Sequence, residues 1–395
     1  MIPVLFIIII FLILSSGYFY VGFRIIAQSN LTPLMNIATW AILVVLLLFL
    51  YIPFVATRLG YSGKIVNGLL LIGYVGLGFI SFLIVILLAK DIIILILFLF
   101  KKISFAFKPV QTISVPNIER RKFLMNMLNL GIIGTATALT GYGFYHATKK
   151  PYIKKVFIPV KNLTEKLKDF IIVQVSDLHV GPTIKRKYIQ AIVEEINKIN
   201  PDVFVFTGDL VDGSVQNLKY DVEPLKNINP KYGKFFITGN HEYYSVASDW
   251  MREAENLGFT VLHNENRLVN YFETKILFAG VPDVQGVQFY KDHFSDPIKA
   301  IESSEQSDIK ILLAHQPKSL YKAIEAGFDI QLSGHTHGGQ FIPWNFLAKI
   351  GQPFIKGLNK LQNTWIYVSN GTGYWGPPLR IGAKSEITLI KFKQG

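Results

Sequence analysis

Long apolar runs dominate the first 150 residues of the chain, and shorter, regularly spaced apolar runs follow them. An uncharged run of about 20 residues is long enough to cross a bilayer as a helix. Such runs predict four transmembrane helices, at residues 2–23, 34–57, 65–89 and 123–147. Residues 92–100 are apolar but too short to cross alone, so they either prolong the third helix or lie in the membrane interface.

The residues that flank these apolar runs indicate how the chain is oriented across the membrane. A signal peptide is the alternative for residues 2–23, but no positive charge precedes the run and no small-residue cleavage site follows it. Arg120 and Arg121 resemble a twin-arginine export signal, or else a basic cytoplasmic flank. Residues 101–122 carry six basic groups and one acid, which predicts a cytoplasmic loop and an extracytoplasmic domain after residue 150. Four lysines between 149 and 155 oppose this, but flanking charge is a weaker guide for a large domain.

From residue 168 onward, short apolar segments alternate with segments of helical spacing. Residues 170–176, 203–207 and 235–238 have the composition of buried strands. Residues 187–199 place their apolar side chains at helical intervals. This alternation predicts an α/β domain with largely parallel sheets.

Charge divides the chain at the same place. Residues 1–150 hold twelve Lys/Arg and two Asp/Glu, whereas residues 151–395 hold 28 and 25. The high pI therefore belongs to the membrane region, and no basic, aromatic-interleaved patch indicates nucleic-acid binding. Cysteine is absent, which excludes disulfides and thiolate metal sites. We expect two domains, a membrane region at 1–150 and a catalytic domain at 151–395, in a bacterial inner or plasma membrane.

Metal-binding side chains follow five predicted strands, at residues 170–176, 203–207, 235–238, 310–314 and 329–332. Ligand sites of α/β folds lie outside the carboxyl ends of strands, and residues two apart in an extended segment point to the same side. Seven nitrogen and oxygen donors exceed what one ion takes from protein, and they suit two ions that share a carboxylate. Mn²⁺, Fe or Zn²⁺ fits this donor set. The candidate ligands are Asp177, His179, Asp209, Asn240, His315, His335 and His337.

In order and spacing these residues resemble the motifs of the calcineurin-like metallophosphoesterases. The matching blocks are Asp177-x-His179, Gly208-Asp209, Gly239-Asn240-His241-Glu242, His315 and Gly334-His335-x-His337. The resemblance covers about residues 168–395, and "GHTHGGQ" is most similar to the bacterial, exported, membrane-associated branch. It implies a four-layer α/β/β/α sandwich of two mixed sheets, joined here to an N-terminal α-helical transmembrane region.

The resemblance also implies roles for the candidate residues. Two divalent metal ions are expected, with Mn²⁺ as the first choice. Asp209 bridges the two ions, and His241 is the catalytic residue that faces the phosphate and stabilises the transition state or protonates the leaving oxygen. The resemblance assigns the other ligands as follows: Asp177, His179 and His337 to the first ion, and Asn240, His315 and His335 to the second.

Several neighbouring residues admit two interpretations. Glu242 is expected to orient its loop rather than to catalyse. Asp212 is either a hydrogen-bond partner of a ligand or a plain surface acid. Arg380 either reaches a substrate phosphate or packs near Glu386. Three histidines have no partner pattern and are expected to be ordinary: His146, His263 and His293.

The sequence thus predicts a membrane-anchored phosphoesterase in which a metal-bridging hydroxide attacks phosphorus. Its partners are a membrane and a phosphodiester or phosphomonoester, with lipid-linked or envelope substrates favoured by the number of helices. Two alternatives stay open. One is hydrolysis of a pyrophosphate bond in a lipid-linked or nucleotide-sugar substrate, and the other is a metal-binding membrane scaffold without turnover. The oligomeric state and the role of the helices beyond anchoring do not follow from the sequence.

Overall fold

The computed structural model describes residues 4–26, 29, 31–59, 61, 63–105, 118–161, 163–302 and 304–395. The chain divides into two compact units, Met1–Phe144 and Tyr145–Gly395. The first unit is helical, whereas the second is built from two β-sheets with helices on their outer faces.

In the described part of the chain, four helices are long and apolar enough to cross a membrane. The second helix, α2, runs from Pro33 to Arg58. Proline suits its first turn because the fixed φ matches the helix and the missing N–H has no helical partner there. Thr32 caps the same helix by accepting the Met35 N–H. The bounds are α1 (Val4–Ile26), α2 (Pro33–Arg58), α3 (Lys64–Phe105) and α4 (Ile118–Thr148).

The third helix departs most from its predicted bounds of 65–89. α3 runs for 42 residues without interruption, which is about 63 Å at ~1.5 Å per residue. That is roughly twice the ~30 Å hydrocarbon core of a bilayer. Residues 92–100 therefore prolong this helix. The remainder of the predicted basic loop, residues 106–117, lies outside the described residues.

Lys90 and Asp91 do not end α3, because Asp91 has partners on a neighbouring helix. Arg24, in the last turn of α1, donates to Asp91 Oδ1. The Tyr20 hydroxyl donates to Asp91 Oδ2 at 2.9 Å. In the sequence alone, a charged pair within an apolar run suggests the end of a membrane helix. Lysine and aspartate are nevertheless compatible with a helix interior, whereas proline is not.

The described strands of the second unit form two six-stranded mixed sheets. The strand bounds are β1 (Tyr152–Val160), β2 (Ile172–Val175), β3 (Val203–Thr207), β4 (Gly233–Ile237), β5 (Thr260–Val261), β6 (Glu265–Tyr271), β7 (Thr274–Gly280), β8 (Ile309–Leu313), β9 (Ile330–Ser333), β10 (Gly357–Leu361), β11 (Thr364–Val368) and β12 (Glu386–Gln394). The first sheet has the order β1-β12-β2-β3-β4-β5, and the second has the order β10-β11-β9-β8-β7-β6.

Apolar side chains hold the sheets together as layers. Between the sheets, Val205 of β3 belongs to the same buried cluster as Phe278 of β7. On the outer faces, Ile192 and Trp250 cover the first sheet, and Ala323 lies in the cluster that covers the second. The result is the predicted four-layer α/β/β/α sandwich. Its helices are α5 (Arg186–Ile199), α6 (Val215–Val222), α7 (Asn240–Tyr244), α8 (Ala247–Asn256), α9 (Pro297–Ile301), α10 (Leu320–Glu325) and α11 (Trp344–Leu347).

The direction of the central strands positions the loops that matter for function. β2, β3 and β4 pair in parallel, as do β7, β8 and β9. The carboxyl ends of parallel neighbours lie at the same edge of a sheet. Loops from both sheets can therefore converge on one site.

Candidate metal centre

The loops after β2, β3 and β4 of the first sheet meet those after β8 and β9 of the second. Each loop carries predicted metal ligands, and the side chains are buried or nearly so. In chain order these residues are Asp177, His179, Asp209, Asn240, His315, His335 and His337.

Asp177, His179 and His337 form one compact group. Their candidate ligand atoms all lie within 4.8 Å of one another. The Nε2 atoms of His179 and His337 are 3.0 Å apart, and His337 Nε2 is 3.6 Å from Asp177 Oδ1. Two imidazole nitrogens and a carboxylate that converge in this way are a typical protein donor set for a divalent transition-metal ion.

Asp209, His315 and His335 form a second group within the same 4.8 Å limit. His335 Nδ1 is also 3.0 Å from the side-chain oxygen of Asn240, which adds an amide donor. Asp209 Oδ2 lies 3.1 Å from His315 Nε2 and 3.7 Å from His179 Nε2. One carboxylate oxygen therefore stands between the two groups.

Two polar atoms of these groups fit a bound cation because they lack other partners. Among the described residues, Asp177 Oδ2 and His315 Nε2 are buried without a hydrogen-bond partner. The Nδ1–H of His315 donates to the Thr207 carbonyl at 2.7 Å, so its Nε2 is the nitrogen left to bind a ligand. A buried polar atom without a partner costs free energy, and a metal ion in each group would remove that cost.

Five of the seven candidate ligands have a left-handed backbone. Such φ values are uncommon for residues other than glycine, although Asp, Asn and His tolerate them best. Strained backbone of this kind concentrates at functional sites. The residues and φ values are Asp177 (56°), His179 (50°), Asp209 (58°), His335 (73°) and His337 (52°).

Glycines allow the ligand loops to approach one another closely. A Cβ at Gly239 would lie 2.2 Å from Asp209 Oδ1, and a Cβ at Gly334 would lie 2.2 Å from Asp177 Oδ2. Both contacts are far shorter than van der Waals distance. Any side chain at either position would displace a candidate ligand.

His241 lies beside the two groups and is tied to them through Asp212. Asp212 Oδ1 is 2.5 Å from His241 Nδ1 and 3.1 Å from His179 Nδ1. Asp212 is therefore a hydrogen-bond partner of a candidate ligand and not a plain surface acid. Bonding at Nδ1 orients each ring and leaves Nε2 free for other contacts.

Opposing charges set the electrostatics of the site. Burial would lower the pKa of His241, but Asp209 and Asp212 raise it to about 9. Burial would raise the pKa of Asp209, but His315 and His241 hold it well below its usual value. Burial lowers the pKa of His335 to about 3. Burial would lower the pKa of His315, but Asp209 raises it well above its usual value, and burial raises the pKa of Asp177. Because carboxylates bind metal when ionised and imidazoles when neutral, a cation in each group would stabilise those forms of Asp177 and His315.

Comparison with known proteins agrees with this geometry. The family described as calcineurin-like phosphoesterase matches residues 170–339. A Helicobacter pylori protein named an uncharacterized metallophosphoesterase is 38% identical over 283 residues, which cover 69% of this chain and 72% of that protein. The chain belongs to the calcineurin-like metallophosphoesterases. It carries the phosphoesterase domain of that family, and four helices among its described residues are long and apolar enough to cross a membrane.

Two vertebrate metallophosphoesterases are also similar to the chain. Both are named transmembrane protein with metallophosphoesterase domain. The Danio rerio protein is 40% identical over 67% of this chain and 62% of its own length, and the Bos taurus protein is 38% identical over 70% and 65%. The matched region therefore spans a little under two thirds of each of these two relatives.

In this metallophosphoesterase, Glu242 organises two ligand loops. Its buried carboxylate accepts three backbone N–H groups, from Asp209 at 3.0 Å, Leu210 at 2.7 Å and Gly239 at 2.6 Å. Burial and the charge of Asp209 raise the pKa of Glu242 to about 7. The side chain fixes the loop that carries Asp209 against the loop that carries Asn240, which agrees with the expected orienting role.

Arg380 is buried and bonds within the protein, which favours the packing interpretation. Its Nη1 donates to the carbonyls of His337 and Asn370 at 2.8 and 2.6 Å. Its Nη2 lies 2.9 Å from His337 Nδ1. Burial and the positive charge of Arg380 lower the pKa of His337 well below its usual value. No sequence pattern signals this link, because 43 residues separate the two side chains.

The three histidines without a partner pattern stay outside the ligand groups found among the described residues. His146 lies in α4. The rings of His263 and His293 are 4.3 Å apart, and His293 Nδ1 is 3.0 Å from the Tyr243 hydroxyl. Burial and the neighbouring His293 lower the pKa of His263 to about 4.

Proposed function

We propose that this chain hydrolyses a phosphoester with two divalent cations that share Asp209. The position of Asp209 Oδ2 carries the proposal, since this oxygen lies 3.1 Å from His315 Nε2 and 3.7 Å from His179 Nε2. We assign Asp177, His179 and His337 to the first cation, and Asn240, His315 and His335 to the second. Membership of the family supports metal-dependent hydrolysis, and this shared carboxylate supports the two-metal form of it.

The donor chemistry favours Mn²⁺, with Fe and Zn²⁺ as the other ions that suit mixed imidazole and carboxylate ligands. When bound, a pair of such ions supplies positive charge for in-line displacement at phosphorus and makes water a better nucleophile. With cations bound, the buried carboxylates would be ionised and the imidazoles neutral, which are the forms in which they serve as ligands. No protein nucleophile is required.

We assign to His241 the transfer of a proton to the leaving oxygen, or stabilisation of the negative charge that develops there. Its side chain is 14% exposed, so the ring reaches the edge of the buried site. Asp212 holds Nδ1, and Nε2 is left for the substrate. Asp209 Oδ1 accepts the His241 backbone N–H at 2.9 Å, so the catalytic ring is fixed relative to the bridging carboxylate. A scaffold without turnover has no need of this arrangement.

We propose a lipid-linked or envelope phosphoester as the substrate, with residues 1–150 as the membrane region and 151–395 as the catalytic domain. The four membrane-length helices of the described residues exceed what simple anchoring requires. The basic excess of residues 101–122 supports a cytoplasmic position for that stretch and an extracytoplasmic catalytic domain. Fold resemblance supports the reaction class and not the substrate.

The test uses the purified full chain in detergent, loaded with Mn²⁺. Metal analysis should give two equivalents per chain, and a chromogenic phosphodiester or phosphomonoester should be cleaved with loss of activity on chelation. One equivalent at full activity would contradict the two-metal form, and two equivalents without turnover would favour the scaffold. Cleavage of a pyrophosphate compound in preference to both esters would favour the pyrophosphatase alternative. Lipid and envelope metabolites that accumulate in a deletion strain would then identify the substrate.

A further inference from the structure

A cluster of exposed apolar side chains follows directly after the last candidate ligand, His337. We name residues 342–350 the apolar loop. Single apolar residues on a surface are normal, but several in one short segment mark an interaction site. The exposed residues and their fractional exposures are Ile342 (45%), Phe346 (60%), Leu347 (54%) and Ile350 (74%).

The apolar loop is attached to the metal centre at both ends. At its start, Gly339 packs so closely on Asn345 that a Cβ would lie 2.5 Å from the Asn345 Cα. Beyond its end, the Ile355 carbonyl accepts a hydrogen bond from Thr336 Oγ1 at 2.7 Å. Thr336 stands between the ligands His335 and His337. Whatever covers the loop therefore lies close to the site where phosphoesters are cleaved.

A second connection joins the segment after the apolar loop to the residues that follow His315 at the end of β8. Gln352 Oε1 accepts the Lys318 N–H at 3.0 Å, and Gln352 Nε2 donates to Gln316 Oε1 at 3.3 Å. Gln316 follows His315 directly. The loop is thus held in place relative to ligands from two different strands.

The charge around the loop indicates what covers it. Residues 330–385 contain no aspartate or glutamate, but they contain five basic residues. Two of these, Lys349 and Lys356, are exposed in or just after the loop. Trp344 and Trp375 belong to the same acid-free stretch, and Trp375 is 51% exposed. Apolar side chains, tryptophan and lysine together are the composition of protein segments that lie in a membrane interface.

An anionic phospholipid surface complements all of these features. Its acyl boundary accepts the apolar side chains, and its phosphates attract lysine. A bilayer is also close by for this chain, because four helices among its described residues are long and apolar enough to cross one. A soluble protein partner would need a surface complementary to both the apolar and the basic side chains. Unlike the bilayer, it would also have to reach the loop by diffusion.

We propose that the apolar loop inserts into the headgroup–acyl boundary of an anionic bilayer. The contact goes beyond the proposed function, because it needs no turnover. One consequence does rest on that function: lipid phosphates at the surface would lie close to the loops that carry His335 and His337.

The chain has no native cysteine, so single labels can be placed cleanly. Phe346→Cys probes the loop, and Phe272→Cys is the matched control, since both phenylalanines are 60% exposed. The labelled full chain carries a bimane fluorophore in nanodiscs of equal parts phosphatidylcholine and phosphatidylglycerol. A doxyl-labelled lipid quenches from the bilayer, and iodide quenches from water. Leu347→Cys repeats the measurement if the first variant does not fold.

We expect the doxyl lipid to quench the label at position 346 and iodide to spare it, with the opposite result at position 272. Replacement of phosphatidylglycerol by phosphatidylcholine, or Lys349→Glu with Lys356→Glu, should reduce the lipid quenching. A label at 346 that iodide quenches as fully as the one at 272 would overturn the proposal. Protection from iodide without lipid quenching, seen only with two chains per disc, would overturn it in favour of a second copy.

Discussion

The replacement of Glu242 by glutamine tests how the two ligand loops are held. The Glu242 carboxylate accepts three backbone N–H groups: Oε2 bonds Asp209 and Gly239, and Oε1 bonds Leu210. Glutamine has the same shape but one acceptor oxygen. Its NH₂ group must therefore face at least one backbone N–H. Both groups are hydrogen-bond donors, so no bond forms between them.

The expected loss follows from this geometry. If the amide oxygen keeps the Oε2 position, the Leu210 N–H is left buried without an acceptor, which costs about 1–3 kcal/mol. The two retained bonds lose a charged acceptor, and each weakens by about 1 kcal/mol. The total is roughly 3–5 kcal/mol. For a unit of this size that corresponds to a fall in Tm of roughly 6–20 °C.

The measurement is thermal unfolding of the metal-loaded full chain in detergent, followed by near-UV circular dichroism. Bound cations favour the ionised carboxylate, so the metal-loaded protein is the state in which the substitution matters. The apparent affinity for Mn²⁺ should also fall, because Asp209 and Asn240 are no longer held together. Glu255→Gln is the matched control, since Glu255 is exposed on α8. A Glu242→Gln protein with a Tm within about 2 °C of the wild type and unchanged Mn²⁺ affinity would refute the reasoning.

Three further predictions concern the metals, the catalytic histidine and the topology. Asp209→Asn should lower the occupancy of both metals, because the loss of one shared charge weakens two sites, and two full equivalents in the purified variant would contradict this. His241→Ala should keep its metals and lose roughly 10²–10⁴ in rate, the range for a positioned acid–base group; lost metals or wild-type turnover would show the role to be wrong. In cells with the outer membrane opened, an impermeant thiol reagent should label Glu273→Cys and not Lys102→Cys, and the reverse would place the catalytic domain in the cytoplasm.

The sequence predicted the architecture of the site because the information is local. Each ligand follows an apolar strand, and parallel strands bring their carboxyl ends to one edge. The strand pattern therefore predicts that the residues after β2, β3 and β4 lie at one sheet edge and those after β8 and β9 at another, and the resemblance implies that the two edges meet. The four-layer sandwich was predicted from the resemblance. The resemblance could be recognised because each motif is a short contiguous segment of the sequence.

What the sequence did not predict depends on contacts between distant residues. The sequence left open whether residues 92–100 prolong the third helix, because Asp91 suggests a boundary until Arg24 and Tyr20 are placed beside it. The bond from Arg380 to His337 and the three amides held by Glu242 are likewise invisible in a linear pattern. The exposed apolar loop was missed because an apolar segment inside an α/β domain suggests a core element.

The left-handed ligands have a consequence for laboratory evolution of this protein. Each non-glycine residue in that conformation stores on the order of 1 kcal/mol or more, and five of the candidate ligands do so. Without metal, only hydrogen bonds such as that from the His241 N–H to Asp209 Oδ1 offset this strain, so glycine at Asp177, Asp209 or His335 relaxes the backbone and removes a ligand in the same step. A screen for heat resistance that omits the metal would therefore enrich inactive variants. At these positions, selection for stability without metal favours glycine, whereas selection for catalysis favours the ligand. With metal in the medium, both selections favour the ligand.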